Sequence, residues 1–327
     1  MTQSTVLILG ANGRLGSALV TAFFDGGWRV IAQSRTLGTG KGEHNVTADI
    51  RDVGHVVKSA RAVGRVDVVI HAANVAYRRW ATEAIALNDA AIAIANDLDA
   101  TLMLPGNVYN FGTHMPEALR SDTSQNVANA QTSKGTIRVN MERALAAAAE
   151  RGTQAVVIRA GDFFGSGVGS WFDQVIAKDV QNGKLTYPGP LALVHAWAYV
   201  PDLAATFVCV ARARHTLARF EAIHFAGYAV SGYEFVQSIQ RITQRTLKVS
   251  GLPWWVIRTL GVVKPAWRDL AEMSYLWRRP HRLVTDATHA HLIAPTTPLE
   301  RALQQSLATL YPHLQCATPS ESPAVAG

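Results

Sequence analysis

Three glycines at a fixed spacing follow the first apolar run of the sequence, Val6–Leu9, and precede an amphipathic stretch that begins at Leu15. Gly10 permits a tight turn, Gly13 lets backbone approach a pyrophosphate, and Gly16 lets a helix pack close to a strand. The amides at the N-terminus of that helix can then bind phosphate oxygens. This strand–turn–helix context predicts a dinucleotide-binding loop whose expected contact residues are Gly10, Asn12, Gly13, Arg14, Leu15 and Gly16.

The end of the second apolar run determines which dinucleotide the loop would accept. Sites for NAD place a carboxylate there to hold the ribose 2′-hydroxyl, whereas sites for NADP omit it and add an arginine for the 2′-phosphate. This chain has Gln33, Ser34 and Arg35, which supply a hydroxyl and a guanidinium suited to phosphate. Arg14 is a further guanidinium that can reach the same group. We therefore predict NADP, with NAD as the second choice; the alternative is that Arg35 is only a solvated loop charge.

Two short segments at later strand ends are expected to border the cofactor. Asp49 lies where it would accept a hydrogen bond from the adenine amino group, although it is equally well placed to cap a helix that begins near Asp52. The apolar run Val66–His71 ends at His71, which we interpret as a structural hydrogen-bonding residue rather than a catalyst. The small side chains after it would let backbone pass close to the cofactor. The expected contact residues are Asp49, Ile50, Ala72, Ala73 and Asn74.

A parallel sheet is needed to bring these strand ends together. The first 160 residues alternate short apolar runs with amphipathic stretches. Continuous apolar runs are typical of strands buried on both faces, and strand–helix alternation predicts a doubly wound, Rossmann-like α/β sheet. The predicted strands are Val6–Leu9, Arg29–Gln33, Val66–His71, Thr101–Leu104 and Gln154–Arg159. The predicted helices are Leu15–Phe24, Val53–Ala62, Thr82–Leu98 and Gly135–Arg151.

The second half of the chain has a different pattern, which predicts a smaller, tryptophan-rich substrate cap. We expect a glycine-rich loop at Gly161–Gly169, a strand at Glu221–Phe225, and helices at Trp171–Gln181, Pro201–Ala213, Ser231–Gln244 and Pro298–Leu310. Residues 1–165 form the predicted dinucleotide-binding domain, to which 191–225 return. Residues 166–190 and 226–313 form the predicted C-terminal cap, and 314–327 a disordered tail.

Several of these motifs together resemble the extended or atypical short-chain dehydrogenases/reductases, the NAD-dependent epimerase/dehydratase superfamily. The resemblance covers about residues 5–310 and implies a nicotinamide cofactor and a substrate site between the sheet edge and a C-terminal domain. The residues that carry it are the glycine loop, Asp49-Ile50, Asp67–Ala73, Lys134 with Glu142, Arg159–Gly165 and Tyr199–Asp202.

Two of the three catalytic side chains of this family are replaced. Its enzymes use a Ser or Thr after the fifth strand, and a Tyr four residues before a Lys that binds the nicotinamide ribose and lowers the Tyr pKa. Lys134 matches the lysine, and the resemblance implies both its cofactor-binding and its catalytic role. Ala130 stands at the tyrosine position, where it cannot exchange a proton, and Asn107 stands at the serine position.

Another residue can be considered for the missing proton exchange. Asn107 can still donate a hydrogen bond to a carbonyl oxygen, and Tyr109 would share its face if the segment stays extended. We hypothesise that Tyr109 is the proton donor, assisted by Lys134; the alternative is a packed Tyr109 whose hydroxyl is bonded locally. Asp162 and His195 are further ionisable candidates.

Positive charge is concentrated in one segment. The 327 residues carry a formal net charge of +7, and residues 241–290 hold nine Lys/Arg against three Asp/Glu, a surplus of six. Such a segment can meet an anionic or aromatic small molecule, an acidic membrane surface or a second copy in a dimer, or it can be a packed lid with solvated arginines. No nucleic-acid-binding motif accompanies the charge, so we expect no nucleic-acid partner.

The composition excludes several classes of protein. A content of 48% hydrophobic and 17% charged residues excludes a disordered chain. Two cysteines exclude a disulfide scaffold, and we predict no metal site. The sequence has no signal-like h-region and no apolar run long enough to span a membrane, so we expect a cytoplasmic protein.

The function that these residues favour is an NAD(P)H-dependent oxidoreductase acting on a carbonyl or hydroxyl group of a small substrate. A first alternative is an NADP(H)-binding regulator or scaffold that lost catalysis with Ala130. A second is a sugar-nucleotide epimerase or dehydratase with relocated acid and base residues.

Overall fold

The central element of the computed structural model is a seven-stranded sheet. The structure describes residues 3–36, 44–121, 130–263 and 265–317, so most of the predicted disordered tail, from residue 318, lies outside the described residues. The strands are β1 (Thr5–Leu9), β2 (Arg29–Ser34), β3 (His44–Thr47), β4 (Val68–His71), β5 (Thr101–Gly106), β7 (Ala155–Arg159) and β11 (Phe220–His224).

The order of this sheet is β3-β2-β1-β4-β5-β7-β11, and all of its pairings are parallel. The chain starts at β1, fills one half outward to β3, and returns to β4 on the other side of β1. That reversal creates a crevice at the carboxyl ends of β1 and β4, where ligands bind in open α/β sheets. The predicted doubly wound Rossmann-like fold is confirmed.

The central strand is buried on both faces, as its uninterrupted apolar run predicts. In β1, Val6 and Ile8 pack into one core cluster and Leu7 and Leu9 into the other, and all four side chains are inaccessible to solvent. Successive side chains of a strand point to opposite faces, so a run with no polar residue requires a helical layer on each side.

Five helices supply these layers: α1 (Arg14–Asp25), α2 (Val53–Val63), α3 (Trp80–Asp97), α4 (Ser133–Glu150) and α5 (Val200–Ala213). Helices α1 and α5 contribute apolar side chains to the cluster that contains Val6. Helices α2, α3 and α4 contribute to the cluster that contains Leu7. The helix expected at Pro201–Ala213 is confirmed as α5, with the proline in its first turn.

Smaller sheets connect the second half of the chain. One three-stranded sheet consists of β8 (Asp162–Phe164), β10 (Val194–Tyr199) and β12 (Tyr228–Ser231). Two further sheets have two strands each: β9 (Lys184–Tyr187) with β13 (Lys248–Gly251), and β6 (Ala118–Leu119) with β14 (Arg282–Leu283). The remaining described helices are α6 (Gly232–Thr243), α7 (Trp254–Gly261), α8 (Pro265–Glu272) and α9 (Leu299–Leu310). The helix predicted over Ser231–Gln244 is α6, and Ser231 is its N-cap residue, which forms a capping box with Glu234.

Two expectations for residues 161–181 are wrong. The predicted glycine-rich loop contains β8, because Gly161 lets it run against β10: a Cβ at Gly161 would lie 2.2 Å from the Ala196 carbonyl oxygen. The helix predicted over Trp171–Gln181 is instead a π-helical turn, Phe172–Ile176, followed by a 3₁₀ turn, Val180–Asn182.

Candidate functional site

The glycine loop lies directly against the end of β4. Gly10 has a φ of +81°, and a Cβ there would lie 2.5 Å from Cα of Ala73. A Cβ at Gly16 would lie 2.2 Å from the Gly10 carbonyl oxygen, so α1 begins in contact with the turn. Both positions therefore exclude any side chain, which is the arrangement that brings backbone close to a bound pyrophosphate.

Gln33 fixes the loop from the neighbouring strand, a role that the sequence did not indicate. Its side-chain oxygen accepts a hydrogen bond from the Gly10 amide at 3.0 Å, and its side-chain nitrogen donates to the Ala48 carbonyl at 2.7 Å. The residue is buried. The sequence signal for this role was a polar amide side chain directly after the apolar residues Val30–Ala32 of β2.

The N-terminus of α1 has no capping side chain. Gly13 is its N-cap residue in an extended conformation, and the first turn contains no acidic residue. Unpaired amides at a helix N-terminus suit an anion. Arg14, expected to join Arg35 at a phosphate, is instead held by the segment after β8: its guanidinium lies 3.7 Å from Asp173 and 3.4 Å from the Gly169 carbonyl.

The ends of β2 and β3 place two arginines beside one carboxylate. The Asp49 carboxylate accepts hydrogen bonds from the Arg51 backbone and guanidinium at 2.6–2.9 Å. The side-chain hydrogen bond from Arg51, aided by the nearby charge of Arg35, holds the pKa of Asp49 well below its usual range. Asp49 does not cap α2, because Asp52 does so, accepting from the His55 amide at 3.2 Å. Arg51 was missed by sequence reasoning.

Other predicted contact residues lie in the glycine loop and at the ends of β2 and β3. The Asn12 side chain donates to the Thr36 carbonyl at 3.3 Å, and the Ser34 hydroxyl donates to the same carbonyl. Arg35 is exposed, whereas Ile50 and Leu15 are buried. The loop, the β2 end and the turn after β3 thus meet at one edge of the sheet.

The end of β4 holds a neutral histidine. Burial, aided by the positive charge of Arg138, lowers the pKa of His71 to about 3, so the imidazole is uncharged at neutral pH. Within the described residues its Nδ1 has no hydrogen-bond partner. Beyond it, the Asn74 side-chain oxygen accepts from the indole of Trp80 at 3.0 Å, which anchors the start of α3.

The segment after β5 does not stay extended. The Asn107 side-chain oxygen accepts from the Tyr109 amide at 3.0 Å, and Tyr109–Phe111 forms a 3₁₀ turn. The premise that strand alternation puts Asn107 and Tyr109 on one face is therefore wrong, because this side-chain hydrogen bond turns the backbone. The turn packs on the start of α4, where a Cβ at Gly135 would lie 2.7 Å from the Tyr109 carbonyl oxygen.

Lys134 is the most buried cation near this edge, with a side chain that is 2% exposed. Its ammonium contacts the Glu272 carboxylate directly and lies 3.5 Å from Asp269, both on α8. Glu272 also accepts from the Ser133 hydroxyl at 2.8 Å. Burial opposes ionisation of Glu272, but hydrogen bonds from Lys134 and Ser133 outweigh it and hold its pKa below the ordinary value.

The tyrosine position has no helical relation to Lys134. Helix α4 starts at Ser133, after the N-cap Thr132, and Gln131 has a φ of +51° that interrupts the helical backbone. Ala130 is fully buried on the far side of this break. A tyrosine at residue 130 would therefore not lie one helical turn from the lysine.

A cavity of about 470 Å³ opens beside these groups. Its wall joins the start of α3, the first turn of α4 and the inner side of α8. Lys134 and Glu272 lie on it together with two further guanidiniums and apolar surface, which are supplied by Arg78, Arg268, Trp80 and Ile137.

A buried ionic network centred on Arg159 connects two strands of the sheet to α4. The Arg159 guanidinium on β7 bonds Glu142 on α4 at 2.8 Å, and the Asn110 side chain donates to the same carboxylate at 3.1 Å. Arg159 also lies 3.0 Å from the imidazole of His224 on β11. The network links β7, β11, α4 and the turn after β5.

The ionisable candidates Asp162, on β8, and His195, on β10, contact each other. Their carboxylate and imidazole are 2.8 Å apart, and the His195 ring stacks on Trp277 with centroids 4.2 Å apart. None of the contacts described for either residue includes Lys134 or Asn107. Within the described ranges, no cluster of His, Cys, Asp and Glu suits a metal ion, and no helix is long and apolar enough to cross a membrane.

Known structures share this architecture. UDP-glucose-4-epimerase from Stenotrophomonas maltophila, with bound NAD and formylated UDP-arabinopyranose, has a TM-score of 0.74 at 14% identity, covering 94% of this chain and 98% of that chain. L-threonine dehydrogenase from Phytophthora infestans has a TM-score of 0.74 at 16% identity, covering 94% and 99%. dTDP-glucose 4,6-dehydratase from Bacillus anthracis in complex with NAD has a TM-score of 0.71 at 12% identity, covering 94% and 96%. At such identities the likeness concerns the fold.

Sequence comparison gives the family. No curated protein matches the chain. The sequence model of the NAD dependent epimerase/dehydratase family matches residues 6–224, about two thirds of the chain, and this range contains the glycine loop, the β4 end and Lys134. The chain therefore belongs to the NAD dependent epimerase/dehydratase family.

Proposed function

We propose that this protein is an NAD(P)-dependent oxidoreductase that acts on a carbonyl or hydroxyl group of a small substrate bound in the 470 Å³ cavity. The observation that carries the proposal is Lys134. Its ammonium is buried, stands at the family's lysine position, borders the cavity and is held by two carboxylates. A chain that only bound a dinucleotide would not need this ionic cluster at a cavity wall.

The carboxyl edge of the sheet fits a nicotinamide dinucleotide. Gly10 and Gly16 exclude side chains from the loop, and the first amides of α1 are free of a side-chain cap. When bound, the nicotinamide supplies hydride exchange with a substrate carbon. The loop amides would hold the pyrophosphate, and Lys134 would hold the adjoining ribose, as the resemblance to the family implies for its lysine.

NADP is the proposed form of the cofactor. The β2 end carries no carboxylate for a ribose 2′-hydroxyl, and two guanidiniums, Arg35 after β2 and Arg51 after β3, lie near the Asp49 carboxylate. Arg51 is already bonded to Asp49, which fixes its orientation before any ligand arrives. Paired guanidiniums suit a doubly charged phosphate.

Glu272 is the proposed proton acceptor. Its depressed pKa keeps it ionised at neutral pH, so it can take the hydroxyl proton of an alcohol substrate. Ser133 and Lys134 both bond this carboxylate, and they would fix the side chain that exchanges the proton.

The hypothesis that Tyr109 exchanges the proton remains a competing proposal. Its ring is 5% exposed and packs near Trp80, with centroids 6.3 Å apart. Glu272 is better supported because it contacts Lys134 and lies on the cavity wall.

A negatively charged substrate is proposed as well, because Arg78 and Arg268 line the cavity and neither has an ion pair among the described residues.

The test is cofactor binding together with turnover. NADPH and NADH titrations, followed by nicotinamide fluorescence, give the two affinities. A panel of carbonyl compounds and alcohols, each with and without a carboxylate or phosphate, then reports hydride transfer as a change in nicotinamide absorbance. Turnover of any member supports the proposal. Tight NADPH binding without turnover across the panel would instead support a regulator, and turnover of UDP- or dTDP-sugars alone would support a sugar-nucleotide enzyme.

A further inference from the structure

The hairpin of α7 and α8 presents an apolar tip to solvent. Its inner side is packed: Ile257 is 2% exposed, and a Cβ at Gly261 would lie 3.1 Å from the Arg268 backbone. The hairpin is also anchored to the body, because the Trp254 indole donates to the Pro188 carbonyl at 2.5 Å. Its position is therefore fixed by contacts that leave the outer side uncovered.

The outer side concentrates exposed apolar area. Of the eight large apolar side chains that are exposed in the described part of the chain, four lie within residues 255–263. Trp255 is 69% exposed, Leu260 40%, Val262 87% and Val263 80%. Scattered apolar residues on a surface are normal, whereas a contiguous group of this kind marks an interaction site.

The same stretch carries only positive charge. Residues 254–268 contain Arg258, Lys264 and Arg268 and no acidic residue. Arg258 and Arg268 are exposed. The nearest acidic residues that follow, Asp269 and Glu272, are partly buried and face the Lys134 ammonium. The hairpin therefore combines an apolar tip with a cationic rim formed by Arg258 and by Arg268, which also borders the cavity.

We propose that this hairpin docks the protein on an anionic lipid bilayer. An anionic interface attracts the arginines, while the tip valines and Leu260 enter the boundary of the acyl chains and Trp255 lies at headgroup depth. A purely polar polyanion would leave the four apolar side chains in water, and an apolar protein groove would leave the cationic rim without partners. An anionic bilayer offers both chemistries, because its negative headgroups lie over an apolar interior. Neither the nicotinamide site nor its chemistry is needed for this contact.

The test is sedimentation of the full chain with phosphatidylcholine vesicles, with and without phosphatidylserine. We expect binding to the phosphatidylserine vesicles that weakens as salt is added. Val262→Asp/Val263→Asp should weaken it about tenfold or more, because each substitution removes buried apolar area and adds repulsion. Arg258→Gln should weaken binding less and reduce its salt dependence. The matched control is Tyr233→Asp, because Tyr233 is a 54% exposed residue on a different helix, α6.

Several results would overturn the proposal. These are equal sedimentation with both kinds of vesicle, equal losses in the tip and Tyr233 variants, or a concentration-dependent dimer that the tip variant abolishes while vesicle binding is absent. NADPH affinity and circular dichroism of each variant check that it is folded. If the double variant does not fold, Trp255→Ser and the salt dependence of the unmodified chain decide the question.

Discussion

At the scale of single residues, proton exchange in the cavity depends on a carboxylate from far along the chain. Glu272 lies 138 residues after Lys134 and contacts its backbone amide, its ammonium and the hydroxyl of Ser133. If this carboxylate is the base, Glu272→Gln should lower turnover by about 100-fold or more while NADPH affinity changes little. Steady-state kinetics and fluorescence titration measure the two quantities separately.

Two matched variants test whether Glu272 acts by charge alone. Asp269→Asn removes the other carboxylate near Lys134, at 3.5 Å, and should reduce turnover far less. Tyr109→Phe should retain turnover. Equal losses in Glu272→Gln and Asp269→Asn would reduce Glu272 to an electrostatic partner, and loss of turnover in Tyr109→Phe alone would favour the tyrosine.

The pH dependence of turnover follows from the same carboxylate. The pKa of Glu272 is held below its ordinary value of 4.5, so the base is ionised throughout the neutral range. Alcohol oxidation should therefore be insensitive to this group near pH 7 and should fall only as the pH drops through the depressed pKa. A loss of oxidation rate centred near pH 6 to 7 that Glu272→Gln abolishes would contradict this assignment.

Arg35 and Arg51 give a separate prediction about cofactor choice. Removing a guanidinium that binds a 2′-phosphate should weaken NADPH while leaving NADH unaffected, since NADH lacks that group. We expect Arg35→Ala to raise the Kd of NADPH about tenfold, roughly the contribution of one charge-assisted contact. Arg29→Ala is a control on the same strand, because Arg29 bonds the Val63 carbonyl at the opposite end. Equal Kd values for NADPH and NADH in the unmodified protein would refute the NADP proposal.

The sequence indicated some of these residues and not others, for physical reasons. Gly10, Gly13 and Gly16 are recognisable because a tight turn and a close helix impose their spacing locally. Glu272 is not recognisable, because its place beside Lys134 depends on how α8 packs. Asn107 was correctly located at the end of β5, but its side chain bends the backbone that was assumed to stay straight.

At the scale of elements, strand periodicity was a strong signal and short turns were weak ones. The uninterrupted apolar runs of β1, β4 and β7 can be satisfied only between two helical layers, so the parallel sheet followed from the sequence. The π-helical turn at Phe172–Ile176 did not. The Asp173 carboxylate accepts from the amides of Gly169 and Ser170, and this contact shapes the segment in place of a regular helix.

The close contact between the glycine loop and the end of β4 can be tested by the loss of unfolding free energy when a glycine is replaced by alanine. Gly10 and Gly27 have similar positive φ values, +81° and +77°, but only at Gly10 would a Cβ meet other atoms, at 2.5 Å from Ala73. Gly27→Ala should lower the free energy of unfolding by about 1 kcal/mol through backbone strain alone. Gly10→Ala should cost about 1–3 kcal/mol more, because the loop or β4 must move. Denaturant unfolding measures both, and equal losses would mean that the loop yields freely.

At the scale of the whole molecule, buried neutral histidines make stability depend on pH. Burial, with help from nearby positive groups, lowers the pKa of His71 to about 3, of His224 to about 4 and of His281 to about 3. They lie at the end of β4, on β11 and beside β14, so the effect is spread across the fold. Each imidazole is neutral in the folded protein at pH values where the unfolded chain already binds a proton.

The sign of the effect follows from proton linkage. Above the ordinary pKa of 6.5, neither state binds a proton at these sites and stability does not depend on them. Below it, only the unfolded state gains protons until the pH reaches about 3 to 4, so the unfolding free energy falls as the pH falls through that window. Each histidine contributes a slope that approaches about 1.4 kcal/mol per pH unit.

His281→Asn isolates one part of this dependence. The imidazole of His281 packs against His195, with ring centroids 4.5 Å apart, and its Nδ1 lies 3.0 Å from the Arg279 carbonyl. The variant loses packing at all pH values, yet its unfolding free energy should fall less steeply between pH 6 and pH 4 than that of the unmodified protein, by about the slope of one histidine. Denaturant unfolding at several pH values measures that difference. Parallel pH curves would show that His281 takes up its proton in the folded state as readily as in the unfolded chain, which would contradict its lowered pKa.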